Sequence, residues 1–291
     1  MNRAPLLWIF AAATLAITGY AAAQGGAAAI GVAASVVKDV KLSNAGAPKP
    51  RPVVLRQRIA LADLIQTGKG SQLQLLLLDR STFSIGANAT LRIDRFVYDP
   101  ARGRSSGASV TRGAFRFMSG QPNRANNATI SSPVATIGIR GTVLEGIVGE
   151  GASVIAKGEI RAVKDAKADK RTATLVVLRG PGARTEAGAE VGAASVTSGG
   201  VTVELTEPMQ AAFVPREGAA PIGPFRLSPG GLAMLQDQVF PAQVSAGGGG
   251  LLGGLLKVLP AVLPAFVGSG NGKPQVTPVP RDQPSGLPGK P

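Results

Sequence analysis

The chemistry open to this sequence is limited by two missing residue types, because its 291 residues include no His and no Cys. Without imidazole or thiol, Ser-His and Cys-His nucleophile pairs cannot be assembled, and zinc sites built on those ligands are excluded. Carboxylate chemistry, Ser/Lys chemistry and oxygen-ligand sites for Ca²⁺ or Mg²⁺ remain. We expect no cofactor, and we rank catalysis below binding.

Asp63 and Asp79 are the carboxylates whose surroundings suggest chemistry, since turn residues follow each of them. Each could be a metal ligand or an acid–base group, or could bond its own backbone in an Asx-type turn. General acid–base catalysis needs suitably placed partners, and no paired carboxylate accompanies either residue. We therefore favour the turn interpretation and predict no catalytic residue and no metal ligand.

Arg140 stands between Gly138 and Gly141 in an otherwise apolar segment. Its guanidinium could anchor an anion or a partner, or could bond backbone carbonyls or a carboxylate such as Asp63 or Asp79. Because a buried Arg is usually paired, we favour the structural role. The two glycines would then supply unusual dihedral angles or close approach.

The net charge of +14, from 31 Lys and Arg against 17 Asp and Glu, predicts attraction to polyanions. Two basic clusters could meet such a partner or could simply be solvated. The first comprises Lys49, Arg51, Arg56 and Arg58, and the second comprises Lys157, Arg161, Lys164, Lys167, Lys170 and Arg171. Neither has the stacking aromatics or motif of a nucleic-acid site. We expect an envelope protein or an anionic cell-wall or membrane component as partner, and no nucleic acid.

Residues 1–23 have the layout of a secretory signal peptide, with Arg3, an apolar stretch at 6–17 and small residues at 21–23. An uncleaved membrane anchor is the alternative, but the apolar stretch is short for a span. We expect a mature chain that begins at Gln24 and is periplasmic or exported from a Gram-negative-type cell. No transmembrane helix is expected after cleavage.

Short strand-like segments separated by turn residues recur along residues 24–245, which is typical of an all-β fold. Strands are predicted at 72–78, 82–85, 89–98, 110–118 and 134–148, with turns or loops at 44–52, 63–68 and 102–107. Residues 153–163 and 174–178 predict a hairpin with a charged tip at 164–171. One short helix is predicted at 228–240, with Ser228 as N-cap and Pro229 in the first position.

Residues 246–291 form a Pro/Gly-rich tail that we expect to be disordered. An apolar stretch at 251–267 lies within it, but Pro260 and Pro264 interrupt any helix there. We read this stretch as exposed or weakly docked, with membrane-surface contact as the alternative. The predicted organisation is therefore a signal peptide (1–23), one β domain (24–245) and this tail.

Residues 61–148 resemble the FecR domain family of periplasmic proteins. Asp63, Thr67 and Gly68 match the family's Gly-Asp-x-Ile-x-Thr-Gly turn, with Ala62 in place of the first Gly. Residues 76–83 match its Leu-x-Leu-x-Asp-Gly-Ser/Thr segment, with Arg80 following Asp79 where Gly is usual. The remaining matches are Gly113, which starts a strand, and Pro133, Gly138, Arg140, Gly141 and Thr142 of the segment Thr-Pro-x-Ala-x-x-Gly-x-Arg-Gly-Thr.

The resemblance implies a β-rich domain, either a β-solenoid-like stack or a β-sandwich, with a role in envelope sensing or scaffolding. Founding members add a cytoplasmic anti-sigma segment and a membrane helix, and relay the occupancy of an outer-membrane iron transporter. This chain begins instead with a signal-like segment, so we expect a free-standing, non-catalytic binding or scaffold module. A sensor component of envelope signalling is the alternative, and a carboxylate-dependent cell-wall glycan enzyme ranks third. The motif residues are interpreted as structural, and the oligomeric state stays open.

Overall fold

The computed structural model describes residues 28–99, 103–120, 126–180 and 192–241, and these form 17 strands and three helices. The predicted all-β fold is confirmed. The predicted signal peptide (1–23) and tail (246–291) lie outside the described residues. None of the helices in the described ranges is long and apolar enough to span a membrane.

The elements follow one another in chain order with short connections. The strands are β1 (Ala29–Val37), β2 (Val40–Asn44), β3 (Ala47–Pro52), β4 (Arg58–Ala60), β5 (Leu64–Thr67), β6 (Gln72–Leu77), β7 (Thr82–Ile85), β8 (Thr90–Asp99), β9 (Gly103–Met118), β10 (Asn126–Ser131), β11 (Thr136–Arg140), β12 (Val143–Val148), β13 (Thr174–Gly180), β14 (Ala193–Ser198), β15 (Val201–Leu205), β16 (Gln210–Val214) and β17 (Ile222–Arg226). The helices are α1 (Glu150–Glu159), α2 (Arg161–Lys164) and α3 (Pro229–Val239).

The strands form two sheets that share one long strand, β9. In the sheet named here the inner sheet, the order is β4-β1-β6-β7-β9-β12-β13-β16-β17. In the outer sheet it is β3-β2-β5-β8-β9-β10-β11-β14-β15. Residues 103–112 of β9 pair in the outer sheet, and residues 113–118 pair in the inner sheet. Only the β9–β10 pairing is parallel among the described strands.

The crossing from one sheet to the other occurs at Gly113. Its φ of +86° lies in the left-handed region, where a side chain is strained. A Cβ at this position would also overlap the backbone of Ala89 on the neighbouring strand connection. Gly113, which the sequence predicted to start a strand, lies instead inside β9, and both the bend and the close approach require a glycine there.

The two sheets pack face to face as a β-sandwich, the second of the two architectures that the resemblance implied. Side chains from the inner sheet, such as Leu75 and Phe115, join outer-sheet side chains such as Ile65 and Leu91 in one hydrophobic cluster. The rings of Phe83 and Phe117 lie 4.8 Å apart between their centroids within it. Burial of such apolar surface is the main source of stability of the fold.

A layer of helices covers the other face of the inner sheet. A second hydrophobic cluster joins Ile147 and Leu175 of the sheet to Ile155 of α1 and Leu235 of α3. The inner sheet is therefore buried on both sides here, which is why every residue of β12 is buried. The expected hairpin at 153–163 was wrong, because these residues form α1 and α2.

The error at 153–163 has a physical reason in the spacing of the buried side chains. Ala152, Ile155 and Ala156 are buried and fall at the i, i+3, i+4 spacing of a helix face. Short, small side chains made that period hard to distinguish from strand alternation. The strand expected as the partner, β13, pairs instead with β12 and β16.

Three segments expected as turns or loops are strands. Residues 64–67 form β5, residues 47–52 form β3, and residues 103–107 belong to β9. Pairing with neighbouring strands overrides their weak local preference. The prolines of β3 are tolerated because this strand lies at the edge of its sheet, where the N–H groups on the outer side have no neighbouring strand to bond.

The short helix was predicted correctly as α3, and Ser228 Oγ accepts the Gly231 N–H at 3.0 Å.

Candidate functional site: a groove between the helices and the sandwich

The predicted site residues Asp63 and Asp79 are buried, and each bonds the backbone of its own turn. Asp63 accepts hydrogen bonds from the Ala60 N–H and from Asn44 Nδ2, both at 2.8 Å. Asp79 Oδ1 accepts the N–H of Ser81 at 3.0 Å and its hydroxyl at 2.5 Å. Carboxylates held in this way shape turns and present no acid–base pair.

Thr67 ties the first motif turn to the connection between β7 and β8. Its hydroxyl donates to the Gly86 carbonyl at 2.6 Å and accepts the Ala89 N–H at 2.8 Å. Gly68 adds a backbone bond, since its carbonyl accepts the Asn88 N–H at 3.1 Å. The motif therefore positions residues 86–89, which form one wall of the groove described below.

The segment 132–142 forms a turn, a strand and a second turn. Pro133 lies in the β10–β11 turn, and Gly138 faces β14, where a Cβ would stand 2.7 Å from Ser195 Oγ. Gly141 has φ +61° and open space around it, so it supplies the turn conformation. Thr142 is buried, and its hydroxyl donates to the Gly180 carbonyl at 3.1 Å.

Arg140 differs from its expected structural role. Its side chain is 70% exposed, and its carboxylate neighbour is Glu204 at 3.8 Å, not Asp63 or Asp79. The reason is strand alternation, because Ile137 and Ile139 point into the sandwich and Arg140 therefore points outward. The motif residues thus do not converge on one site.

Sequence analysis missed a buried ionic triad on the helix-covered face of the inner sheet. Glu145 is fully buried, and its carboxylate lies 3.2 Å from Arg116 Nε and 3.5 Å from Arg179 Nε. Arg116 stacks on the Phe240 ring at 5.5 Å, and Arg179 donates to Met209 Sδ at 2.9 Å. The signal for this triad in the sequence was Glu145 itself, a single acidic residue within the apolar run of β12.

The triad carries one more positive than negative charge. Burial lowers the pKa of Arg116, Glu145 opposes that shift by attraction, and Arg179 lowers the pKa further by repulsion. Breaking such a pair leaves an uncompensated charge in a poorly solvated place. The triad therefore holds β9, β12 and β13 in register beneath the end of α3.

Beside the triad, an open groove of about 1280 Å³ runs along the end of the inner sheet. Its walls are residues 87–90 at the start of β8, the bend of β9 at 111–114, the first two turns of α1, residues 170–172 and the C-terminal half of α3. Arg112, Lys170 and Arg171 bring positive charge, and Glu150 and Asp237 bring negative charge. Lys170 Nζ and Glu150 Oε1 form an ion pair at 3.1 Å.

Apolar side chains complete the groove. Val154 of α1 and Met234 of α3 are 54% and 47% exposed on its rim, while Ile147 and Ile155 lie buried in its floor. Ligand sites are commonly concave and lined by apolar side chains with a few polar groups among them. The groove can therefore contact both apolar and charged groups of a ligand.

The wall formed by α3 is anchored to the motif turn. The Gln238 carbonyl accepts the Ala87 N–H at 3.2 Å, and a Cβ at Gly86 would overlap that carbonyl. Since the Gly86 carbonyl also accepts the Thr67 hydroxyl, one chain of contacts links the motif to the groove. The groove was invisible to sequence analysis because its walls come from segments far apart in the chain.

The connection that carries Lys170 and Arg171 has its own local order. Asp169 Oδ1 accepts the Arg171 N–H at 2.8 Å, and this hydrogen bond is the main cause that lowers the pKa of Asp169. Within the described ranges, no group of three or more acidic residues is placed to hold a metal ion. The groove itself places charged and apolar side chains side by side.

These features define a class of protein: an all-β sandwich with one helix-covered sheet and an open groove at its edge. Residues 63–180 match the family model described as FecR protein. The part of the chain from the turn at Asp63 through the end of β13 is therefore similar to FecR proteins. This match extends beyond residue 148, where the sequence resemblance ended.

Two solved structures resemble the fold, both of a candidate anti-sigma factor from Parabacteroides distasonis ATCC 8503. The 2.50 Å structure has 13% identity and a TM-score of 0.37, and the 1.65 Å structure has 12% identity and a TM-score of 0.36. Each match covers 55% of this chain and spans 57% of the other. No curated protein matches the sequence.

Proposed function

We propose that this protein is a non-catalytic binding module of FecR-type signal transduction in the bacterial envelope, and that its groove holds an extended segment of a partner protein. The module comprises residues 24–245, and the FecR domain lies within it. The groove with exposed apolar side chains among charges is the observation that carries this proposal.

The groove suits a peptide better than a small rigid ligand. It is open along its length, and it carries both signs of charge at separate places, with Arg112 on one wall and Asp237 on another. Val154 and Met234 offer contacts to apolar side chains. Opposite charges at fixed places would set the direction and register of a bound segment.

A binding role also agrees with how the buried acidic groups are used. Asp63 and Asp79 bond turn backbone, and Glu145 holds two guanidiniums. General acid–base work needs a carboxylate free to exchange a proton with substrate. This use of the carboxylates supports binding over glycan hydrolysis.

Complementation of a gene deletion tests whether the groove serves signalling. We expect deletion to shift a specific set of transcripts, and the wild-type gene to restore it. Variants Val154→Glu and Met234→Glu should fail to restore it, because a carboxylate replaces the apolar rim. Val201→Glu is the matched control, since Val201 is exposed on β15 and does not line the groove. Full restoration by the groove variants would refute the role of the groove.

Site-directed crosslinking tests for the partner itself. A photo-reactive amino acid at position 234 should give one defined adduct in envelope fractions, while the same group at position 201 should not. Glu150→Lys would repel a basic end of the partner segment and should weaken the adduct. Equal adducts from both positions, or adducts with cytoplasmic proteins alone, would contradict the proposal.

A further inference from the structure

The connection between β3 and β4 exposes two neighbouring apolar side chains. Val54 and Leu55 are 62% and 59% exposed, the largest exposed fractions of any large apolar side chain in the described ranges. Val53, which precedes them, is buried in the core. An exposed apolar pair at the tip of a connection is available to contact another surface, and binding residues often lie on such connections.

The backbone holds this tip in place. The Val53 N–H donates to the Val40 carbonyl at 2.9 Å, and the Arg56 N–H donates to the Ala33 carbonyl at 2.8 Å. Gln57 closes the turn, because its side chain accepts the Val54 N–H at 3.0 Å and its N–H donates to the Val54 carbonyl at 3.1 Å. The apolar tip is thus presented by a fixed scaffold.

Positive charge surrounds the tip. The first basic cluster of the sequence (Lys49, Arg51, Arg56 and Arg58) is exposed here on β3, the turn and β4. None of these four side chains forms an ion pair with a carboxylate of the residues that the structure describes. The cluster therefore has its charge available for an external anion.

The described chain starts at the same corner. Ala28, its first residue, lines a depression of about 500 Å³ together with Arg51 and Arg58, and Ala29 pairs with Ala60 of β4. Arg51 and Arg58 of the basic cluster thus face the same depression beside the tip.

We propose that this tip, Val54 and Leu55 with the first basic cluster, docks on an anionic phospholipid bilayer. Apolar side chains enter the boundary between head groups and acyl chains, and Lys or Arg beside them contact lipid phosphates. Exposed apolar side chains beside cations match the chemistry of an anionic bilayer surface, and a soluble polyanion would leave the two apolar side chains without a contact. The tip is separate from the groove, so this proposal stands independently of the proposed function.

The absence of Cys allows a position-specific test with the full chain. The variant Leu55→Cys, labelled with an environment-sensitive fluorophore, is mixed with vesicles of phosphatidylcholine with or without phosphatidylglycerol. We expect a blue shift and a several-fold rise in emission with the anionic vesicles only, reduced at high salt. The control label at Val201→Cys, on exposed β15, should not respond.

Charge reversal separates a specific site from general attraction to the basic protein. In the Leu55→Cys chain, Arg51→Glu with Arg58→Glu should abolish the response. Lys157→Glu with Arg161→Glu makes the same change in net charge at the second basic cluster and should leave the response intact. Equal loss in both chains, equal signals at positions 55 and 201, or no response to anionic vesicles would each overturn the proposal.

Discussion

Glu145 and Arg116 face each other directly across β12 and β9, with 3.2 Å between Glu145 Oε1 and Arg116 Nε. Arg179 of β13 approaches the other carboxylate oxygen at 3.5 Å. One buried carboxylate thus links three neighbouring strands on the face that the helices cover. We expect the triad to favour this register over others that apolar contacts alone would permit.

Replacing Glu145 with Gln should destabilise the fold by about 3–5 kcal/mol, the usual cost of removing one partner of a buried ion pair. Two guanidiniums would then share a buried site without a counter-charge. Urea unfolding followed by circular dichroism measures the change. Glu204→Gln is the control, since its pair with Arg140 is exposed and should contribute less than about 1 kcal/mol. A Glu145→Gln chain as stable as the wild type would contradict this account.

The buried hydroxyl of Thr67 should contribute more to the free energy of unfolding than an exposed hydroxyl does. Thr67→Val keeps the shape but leaves the Gly86 carbonyl and the Ala89 N–H without their buried partner. We expect a loss of about 1–3 kcal/mol, together with faster hydrogen exchange at the Ala89 amide. Thr67→Ser should retain most of the stability. Thr202→Val, at an exposed hydroxyl of β15, should change stability little; an equal loss there would argue against a special role for Thr67.

The fold class and several strands were predictable because alternation records which side of a strand meets the core. Thr82–Ile85 and the first half of Gln72–Leu77 alternate polar and apolar residues in this way. The helix α1 was not predictable, because its buried face consists mostly of small residues, with Ile155 as the one large side chain. The groove and the triad depend on which distant strands pair, and no local pattern encodes the pairing of β9 with β12.

Two departures from the family pattern leave measurable strain. Ala62 and Arg80 stand where the resemblance places Gly, and both adopt φ +65°. A residue with a Cβ costs about 1–2 kcal/mol there, more than the extra chain entropy that Gly loses on folding, about 0.5–1 kcal/mol. Ala62→Gly and Arg80→Gly should therefore each stabilise the fold by several tenths of a kcal/mol to about 1 kcal/mol. Ala60→Gly, within β4, should destabilise the fold. Thermal unfolding measures both effects: the melting temperature should rise for Ala62→Gly and Arg80→Gly and fall for Ala60→Gly.

Gly113 and Gly141 allow the effects of backbone strain and of close contact to be separated. Both have positive φ, but only at Gly113 would an added Cβ contact neighbouring atoms. At Gly141 an added Cβ meets nothing within 4 Å, so Gly141→Ala should cost about 1–2 kcal/mol from backbone strain alone. At Gly113 the same methyl group overlaps the Ala89 backbone, so about 1–3 kcal/mol of overpacking adds to the strain.

Moving Ala89 would also disturb its bond to Thr67 and the groove wall at 87–90. Gly113→Ala should therefore weaken both stability and the crosslink from position 234, whereas Gly141→Ala should weaken stability only. Denaturant unfolding and the crosslinking assay, applied to both variants, check this. If the two variants lose equal stability and equal crosslinking, then the close approach of β9 to Ala89 does not position the groove.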